Sequence, residues 1–207
     1  MSATGRRRAT GPVHVRDAQD SYATPSAVTQ ALLEVIDLRA GARVLEPAVG
    51  DGKIVDELLA HGPLDVTAIE LDASRLQHVA KKCRALHADF LALRSEAGLT
   101  DFDFVITNPP YRLATEFIEH ARAFVHPTGA IAMLLRLNFL GSRKRAEFLR
   151  EFYPDIYVIT PRSSFTGGGT DATEYAWFVW PGGGSHFPGV CRPLLTAQAP
   201  SVHGDER

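Results

Sequence analysis

Between residues 22 and 180 short apolar runs alternate with segments whose apolar residues recur every three to four positions. Thr24-Pro25 followed by SAVTQALLEVIDL reads as an N-cap, a proline at the first helical position and an amphipathic helix. ARVLEP is then a short buried strand, GKIVDELLAHG a helix ended by Gly62, DVTAIEL a second strand, and DASRLQHVAKKC a helix opened by Asp72. ALHADF predicts a third strand. DFDFVITNPP predicts a fourth that stops at two prolines, since neither can donate to a ladder. A helix over LATEFIEHARAFV leads into a fifth strand, GAIAMLLRLNF, then a helix over RAEFLREF and a sixth strand, DIYVIT. Beyond the glycine-rich SSFTGGGTDA, TEYAWFVW is the last strand. Strands interleaved with helices predict βαβ units, and hence an α/β fold whose mostly parallel sheet is covered on both faces.

Both ends depart from this pattern. Residues 1–20 carry Arg6, Arg7 and Arg8 among Ser, Thr and Gly without apolar periodicity, and are expected to form a flexible basic arm. Residues 181–207 are rich in Gly and Pro and are expected to be an irregular tail, leaving 21–180 as the folded domain.

A chain of 207 residues with 45% hydrophobic and 22% charged positions suits one globular domain. No apolar run is long enough to span a membrane, and no apolar stretch follows the basic start, so a cytoplasmic location without a membrane partner is expected. The two cysteines, Cys83 and Cys191, lie far apart without CxxC spacing, and the eight histidines form no HExxH, so no metal site is expected. A net charge of −2 gives no whole-chain attraction to a polyanion, so any contact with nucleic acid must come from a local patch. One candidate is the group Arg112, Arg136, Arg143, Lys144 and Arg145, which follows the carboxyl ends of the fourth and fifth strands. These residues would contact phosphates, or alternatively form a solvated helix face.

Four motifs carry candidate chemistry. In VLEPAVGDG, a strand runs through Glu46, Pro47 and Ala48 into a turn with Gly50 and Gly52 and then a helix, a geometry that brings bare backbone N–H groups close to a ligand. It lacks both GxGxxG and a P-loop lysine, which argues against NAD and ATP. Glu70, followed by Leu71, ends the second strand about 20 residues further on, where a carboxylate can accept from both ribose hydroxyls. Asp89-Phe90 could accept from an adenine amine and stack on its ring, although Phe90 also suits an ordinary core. Asn108-Pro109-Pro110-Tyr111 forms the most specific motif. Its prolines fix the backbone into a rigid rim, the Asn108 side-chain oxygen and Pro109 carbonyl can accept both hydrogens of one NH2 group, and Tyr111 offers a face to a planar base.

The order TP-helix, EPAVGDG, IELD, ADF and NPPY resembles the amino-group methyltransferases of the class I S-adenosylmethionine-dependent fold, in particular small phage-type DNA adenine-N6 enzymes. This resemblance covers about residues 22–180. It implies a Rossmann-like three-layer αβα sandwich with seven strands, mostly parallel, the last antiparallel. It also implies that Thr24 and Pro25 help hold the methionine portion of S-adenosylmethionine, with Glu46 and Ala48 to Gly50 at its amino-acid end and Tyr22, Pro47 and Leu71 also in the cofactor site. Glu70 would serve the ribose, Asp89 and Phe90 the adenine, and Asn108, Pro109, Pro110 and Tyr111 the target base. The implied reaction is methylation of the N6 amine of adenine in DNA, single-stranded or duplex with the base flipped out. The same motif set is similar to that of RNA adenine and protein glutamine methyltransferases, and a non-catalytic binding module would also keep the fold.

Overall fold

A computed structural model describes residues 23–95, 98–162, 173–182 and 190–196. Thirteen helices and strands follow in the order α1 (Ser26–Leu33), β1 (Arg43–Glu46), α2 (Lys53–His61), β2 (Asp65–Glu70), α3 (Ala73–Val79), β3 (Arg84–His87), β4 (Phe102–Thr107), α4 (Ala114–Ala121), β5 (Val125–Arg136), α5 (Ala146–Glu151), β6 (Asp155–Thr160), β7 (Tyr175–Pro181) and β8 (Cys191–Leu195). The strands form one sheet in the order β3-β2-β1-β4-β5-β7-β6-β8. The first five pair in parallel. β7 inserts antiparallel between β5 and β6.

Strand periodicity sorts side chains onto two faces. Along β5, Ala130, Ala132 and Leu134 point to the side covered by α1, α2 and α3. Ile131, Met133 and Leu135 point to the side covered by α4 and α5. β7 does the same with larger residues: Trp177 donates its indole N–H to the Val28 carbonyl at 2.9 Å, and Trp180 donates to the Phe152 carbonyl at 3.0 Å. Each buried indole is thus satisfied by the helical layer on its own face. This is the three-layer α/β sandwich that the alternation predicts.

Two expectations need correction. The sheet has eight strands rather than seven, because Cys191–Leu195, within the expected irregular tail, pairs in parallel with β6. Only Leu194 of CRPLL is buried, so the segment shows no alternating apolar signal, and Pro193 is tolerated because the strand lies at the sheet edge. Its placement is fixed by backbone bonds, among them Ile156 N–H to the Val190 carbonyl and Thr196 N–H to the Thr160 carbonyl. Secondly, the N-cap of α1 is Pro25, with no side-chain cap. Thr24 turns its hydroxyl elsewhere, to Asn108. The expected arm at 1–20, Tyr22, the loop at 163–172 and most of the remaining tail lie outside the described residues.

Candidate active site

In a parallel sheet the carboxyl ends of the strands share one edge, and the loops leaving them surround whatever binds there. Here the segments after β1, β2, β3 and β4 enclose a cavity of about 410 Å³. Pro47, Ala48 and Gly50 reach it from the first of these, Glu70 and Leu71 from the second, Asp89 and Phe90 from the third, and Asn108, Pro110 and Arg112 from the fourth. Residues from four separate motifs therefore meet at one place.

The turn after β1 depends on its glycines. Gly50 and Gly52 have φ of +58° and +82°, in the left-handed region, and a Cβ on Gly52 would lie 2.9 Å from both His78 Cδ2 and Val79 Cγ1. The turn is pinned from the next strand, since the Gly50 N–H donates to Glu70 Oε2 at 2.8 Å. The other Glu70 oxygen accepts from the Asp72 N–H at 3.0 Å. Both bonds fix the carboxylate across the cavity edge, and each oxygen keeps a second lone pair. Next to it Leu71 is 64% exposed, an apolar side chain left on the cavity wall.

Glu46 ends β1 beneath the turn, fully buried. Its Oε1 accepts from the Ala48 N–H at 3.0 Å, whereas Oε2 has no well-formed hydrogen bond. Burial pushes this carboxyl up to about 8, partly offset by the nearby Thr107 hydroxyl and the Ala48 N–H, with the charges of Glu70 and Asp51 adding to the rise. Asp89 caps a short 3-10 turn by accepting from the Leu91 N–H at 3.0 Å, which holds its exposed carboxylate at the cavity. Phe90 faces two ways. It lines the cavity and also packs into the core against Phe117, His120 and Phe124.

In the Asn-Pro-Pro-Tyr segment, Asn108 Nδ2 donates to the buried Thr24 hydroxyl at 3.0 Å. This bond fixes the orientation of the amide, so that its nitrogen side faces Thr24. Asn108 and Pro110 line the cavity, but Tyr111 does not. Its ring centroid lies 4.8 Å from the Arg136 guanidinium and 6.1 Å from that of Tyr175, whose ring is tilted by 41°.

The basic group divides. Arg112 lines the cavity, and Arg143 and Lys144 are exposed on a 3-10 turn. Arg145 turns inward, donating from Nε to the Phe139 carbonyl at 2.8 Å and lying 4.4 Å over the Phe139 ring. Burial lowers its pKa.

Several residues at this end of the sheet escape the sequence motifs, Leu91, Leu113 and Phe117 on the cavity wall among them. Arg75 lines the cavity from the first turn of α3, its Nε 3.7 Å from Asp72 Oδ2, and the i,i+3 spacing from the capping Asp72 is the one signal that could have found it. Tyr175 has no local signal, because it meets Tyr111 only through the placement of β7. Among the described residues no group of three or more His, Cys, Asp or Glu could hold a metal, and no helix is long and apolar enough to cross a membrane.

The family profile described as "Methyltransferase small domain" matches residues 21–166. A tRNA (guanine(6)-N2)-methyltransferase from Thermus thermophilus is 31% identical over 126 residues, which span 52% of this chain and 38% of that protein. Among solved structures, one described as a class I S-adenosylmethionine-dependent methyltransferase from Listeria monocytogenes aligns with a TM-score of 0.66 at 15% identity, over 89% of this chain and 68% of the other. One described as the modification subunit of a type I restriction enzyme from Vibrio vulnificus aligns with a TM-score of 0.62 at 16% identity, over 83% and 45%. At these identities the structural matches establish the fold alone.

Proposed function

Since the chain belongs to the methyltransferase small-domain family, whose class I fold uses S-adenosylmethionine as methyl donor, we propose that it methylates the exocyclic N6 amine of adenine in DNA. One observation carries this reading: Asn108 lines the cavity with its amide nitrogen donating to Thr24, an orientation in which its oxygen and the carbonyl of the following Pro109 are consecutive acceptors suited to one amine.

The cavity residues fit the donor. Glu46 does not line the cavity but lies buried beneath the turn that does, with one oxygen lacking a well-formed partner, and we assign it to the amino-acid end. Glu70 is fixed by two backbone N–H groups yet retains lone pairs for ribose hydroxyls, and Asp89 with Leu71 and Phe90 offers a carboxylate and apolar walls for adenine. When bound, S-adenosylmethionine supplies an electrophilic methyl group on a sulfonium.

The protein must then overcome the planarity of the target amine, whose lone pair is delocalised into the base. Asn108 and Pro109, each accepting one amine hydrogen, favour a pyramidal nitrogen with its lone pair localised toward the methyl group. Their attraction grows as the nitrogen becomes cationic, so they stabilise the transition state more than the ground state. No side chain is needed as a strong base, because the methylated cationic nitrogen is acidic and loses its proton to water. Holding the two reactants in contact supplies much of the remaining acceleration. A base within a duplex cannot reach this rim, so it must be flipped out or unpaired.

A second reading is supported by the Thermus relative, named for methylating guanine N2 of tRNA. Guanine N2 is also an exocyclic amine and offers the same two hydrogens to the same acceptors. Transfer of labelled methyl to unmethylated DNA, single- and double-stranded, and to tRNA, followed by nucleoside mass analysis, separates the two. The expected product is N6-methyladenine in DNA, with single strands modified at least as well as duplex. Asn108→Ala is expected to lower the rate about 100-fold or more, the scale for losing a transition-state acceptor. N2-methylguanine in tRNA with no label in DNA would replace the first reading by the second.

A further inference from the structure

Tyr111 is the aromatic side chain that a target base would use, and a cation already stacks on it. The Arg136 guanidinium lies over its ring, 4.8 Å from the centroid. Tyr175 packs nearby with its centroid 6.1 Å away, and at 5% exposure it is held in the core. Arg136 and Tyr175 are direct partners in the β5–β7 ladder, so both rise from the same rim of the sheet. Asn108 and Pro110 line the cavity, and Tyr111 stands beside them in sequence without lining it.

A guanidinium is planar and has a stacking footprint resembling one edge of a nucleobase. A bidentate bond from arginine to phosphate is charge-assisted and among the stronger contacts a guanidinium makes. An incoming strand brings both replacements together: a base for the tyrosine and a phosphate for the arginine. We propose that Arg136 is a placeholder on Tyr111, leaving the ring for a backbone phosphate as the target base takes its position.

This inference rests on the nucleic-acid reading above and adds a coupling to it: the tyrosine face opens when a phosphate is present to receive the arginine. A free nucleoside brings the base without the phosphate and must displace Arg136 unaided. Removing the side chain should therefore act in opposite directions on the two kinds of substrate.

The test compares wild type, Arg136→Ala and Arg136→Lys on a single-stranded DNA 12-mer with one adenine and on deoxyadenosine, by kcat/KM for methyl transfer and by deoxyadenosine affinity in saturation-transfer NMR. Thermal melting of each variant checks its fold. For Arg136→Ala, about a tenfold loss on the 12-mer is expected, together with a threefold or greater gain in deoxyadenosine affinity. Arg136→Lys, which keeps the charge but not the planar cover, is expected to retain more activity on the 12-mer and to show the same gain with the nucleoside. A loss of similar size on both substrates, or no change in nucleoside affinity, overturns the proposal and leaves Arg136 as a fixed wall. A wild-type protein that transfers no methyl to the 12-mer overturns the DNA reading itself, and the placeholder with it, an outcome distinguishable from the variant results.

Discussion

Glu46 is a charged residue type at the end of a strand, and the fold buries it completely beneath the glycine turn. Its carboxyl, ordinarily near 4.5, is pushed up to about 8 chiefly by burial. The folded protein therefore binds a proton that the unfolded chain has released between these two values. That contribution to stability is complete below about 4.5, declines as pH rises, and is lost above about 8. Glu46→Gln keeps an acceptor for the Ala48 N–H but cannot ionise. Urea denaturation from pH 5 to pH 9 is expected to show the variant gaining stability relative to wild type across this range; a pH-independent difference would mean that the carboxyl is not held neutral. Asn108 shows the complementary case, a residue whose type was readable but whose orientation was not. Its amide is oriented by Thr24, 84 positions earlier in the chain.

The strand-turn-helix element from β1 to α2 was legible because its determinants are local: an apolar strand, glycines at the turn and an apolar helix face. Its reliance on Gly52 combines a local and a distant cause. The left-handed φ belongs to the turn, while the contact of a Cβ with His78 and Val79 depends on α3 packing behind it. Gly52→Ala is expected to lower stability by about 2–4 kcal/mol from the two effects together, with the urea midpoint reduced and the m-value unchanged. β8 is the opposite case. Its hydrogen bonds are made to β6, and CRPLL buries one side chain, so nothing in its own pattern distinguishes it from an irregular tail.

At the scale of the molecule the net charge is −2, so binding to DNA would depend on where the cations stand rather than on how many there are. Arg143 and Lys144 are exposed, whereas Arg145 is spent on Phe139. Replacing Arg143 and Lys144 together by alanine is expected to weaken single-stranded DNA binding and to make the plot of log affinity against log salt shallower by about 1.4, at about 0.7 per phosphate contact. The melting temperature should be unchanged, since neither side chain is buried. An unaltered salt slope would remove this pair from the nucleic-acid surface.

By itself the sequence determined the alternation of strands and helices, the parallel half of the sheet and the positions of the four motifs. Each of these rests on a short-range rule: the period of apolar residues, the conformations open to glycine and proline, and the tendency of parallel strands to carry their loops at one edge. The tertiary structure decided the eighth strand, the buried carboxyl of Glu46, the bond that turns Asn108 and the guanidinium over Tyr111. These are contacts between segments far apart in sequence, and their geometry follows from the register of strands and the packing of layers, which no local pattern specifies.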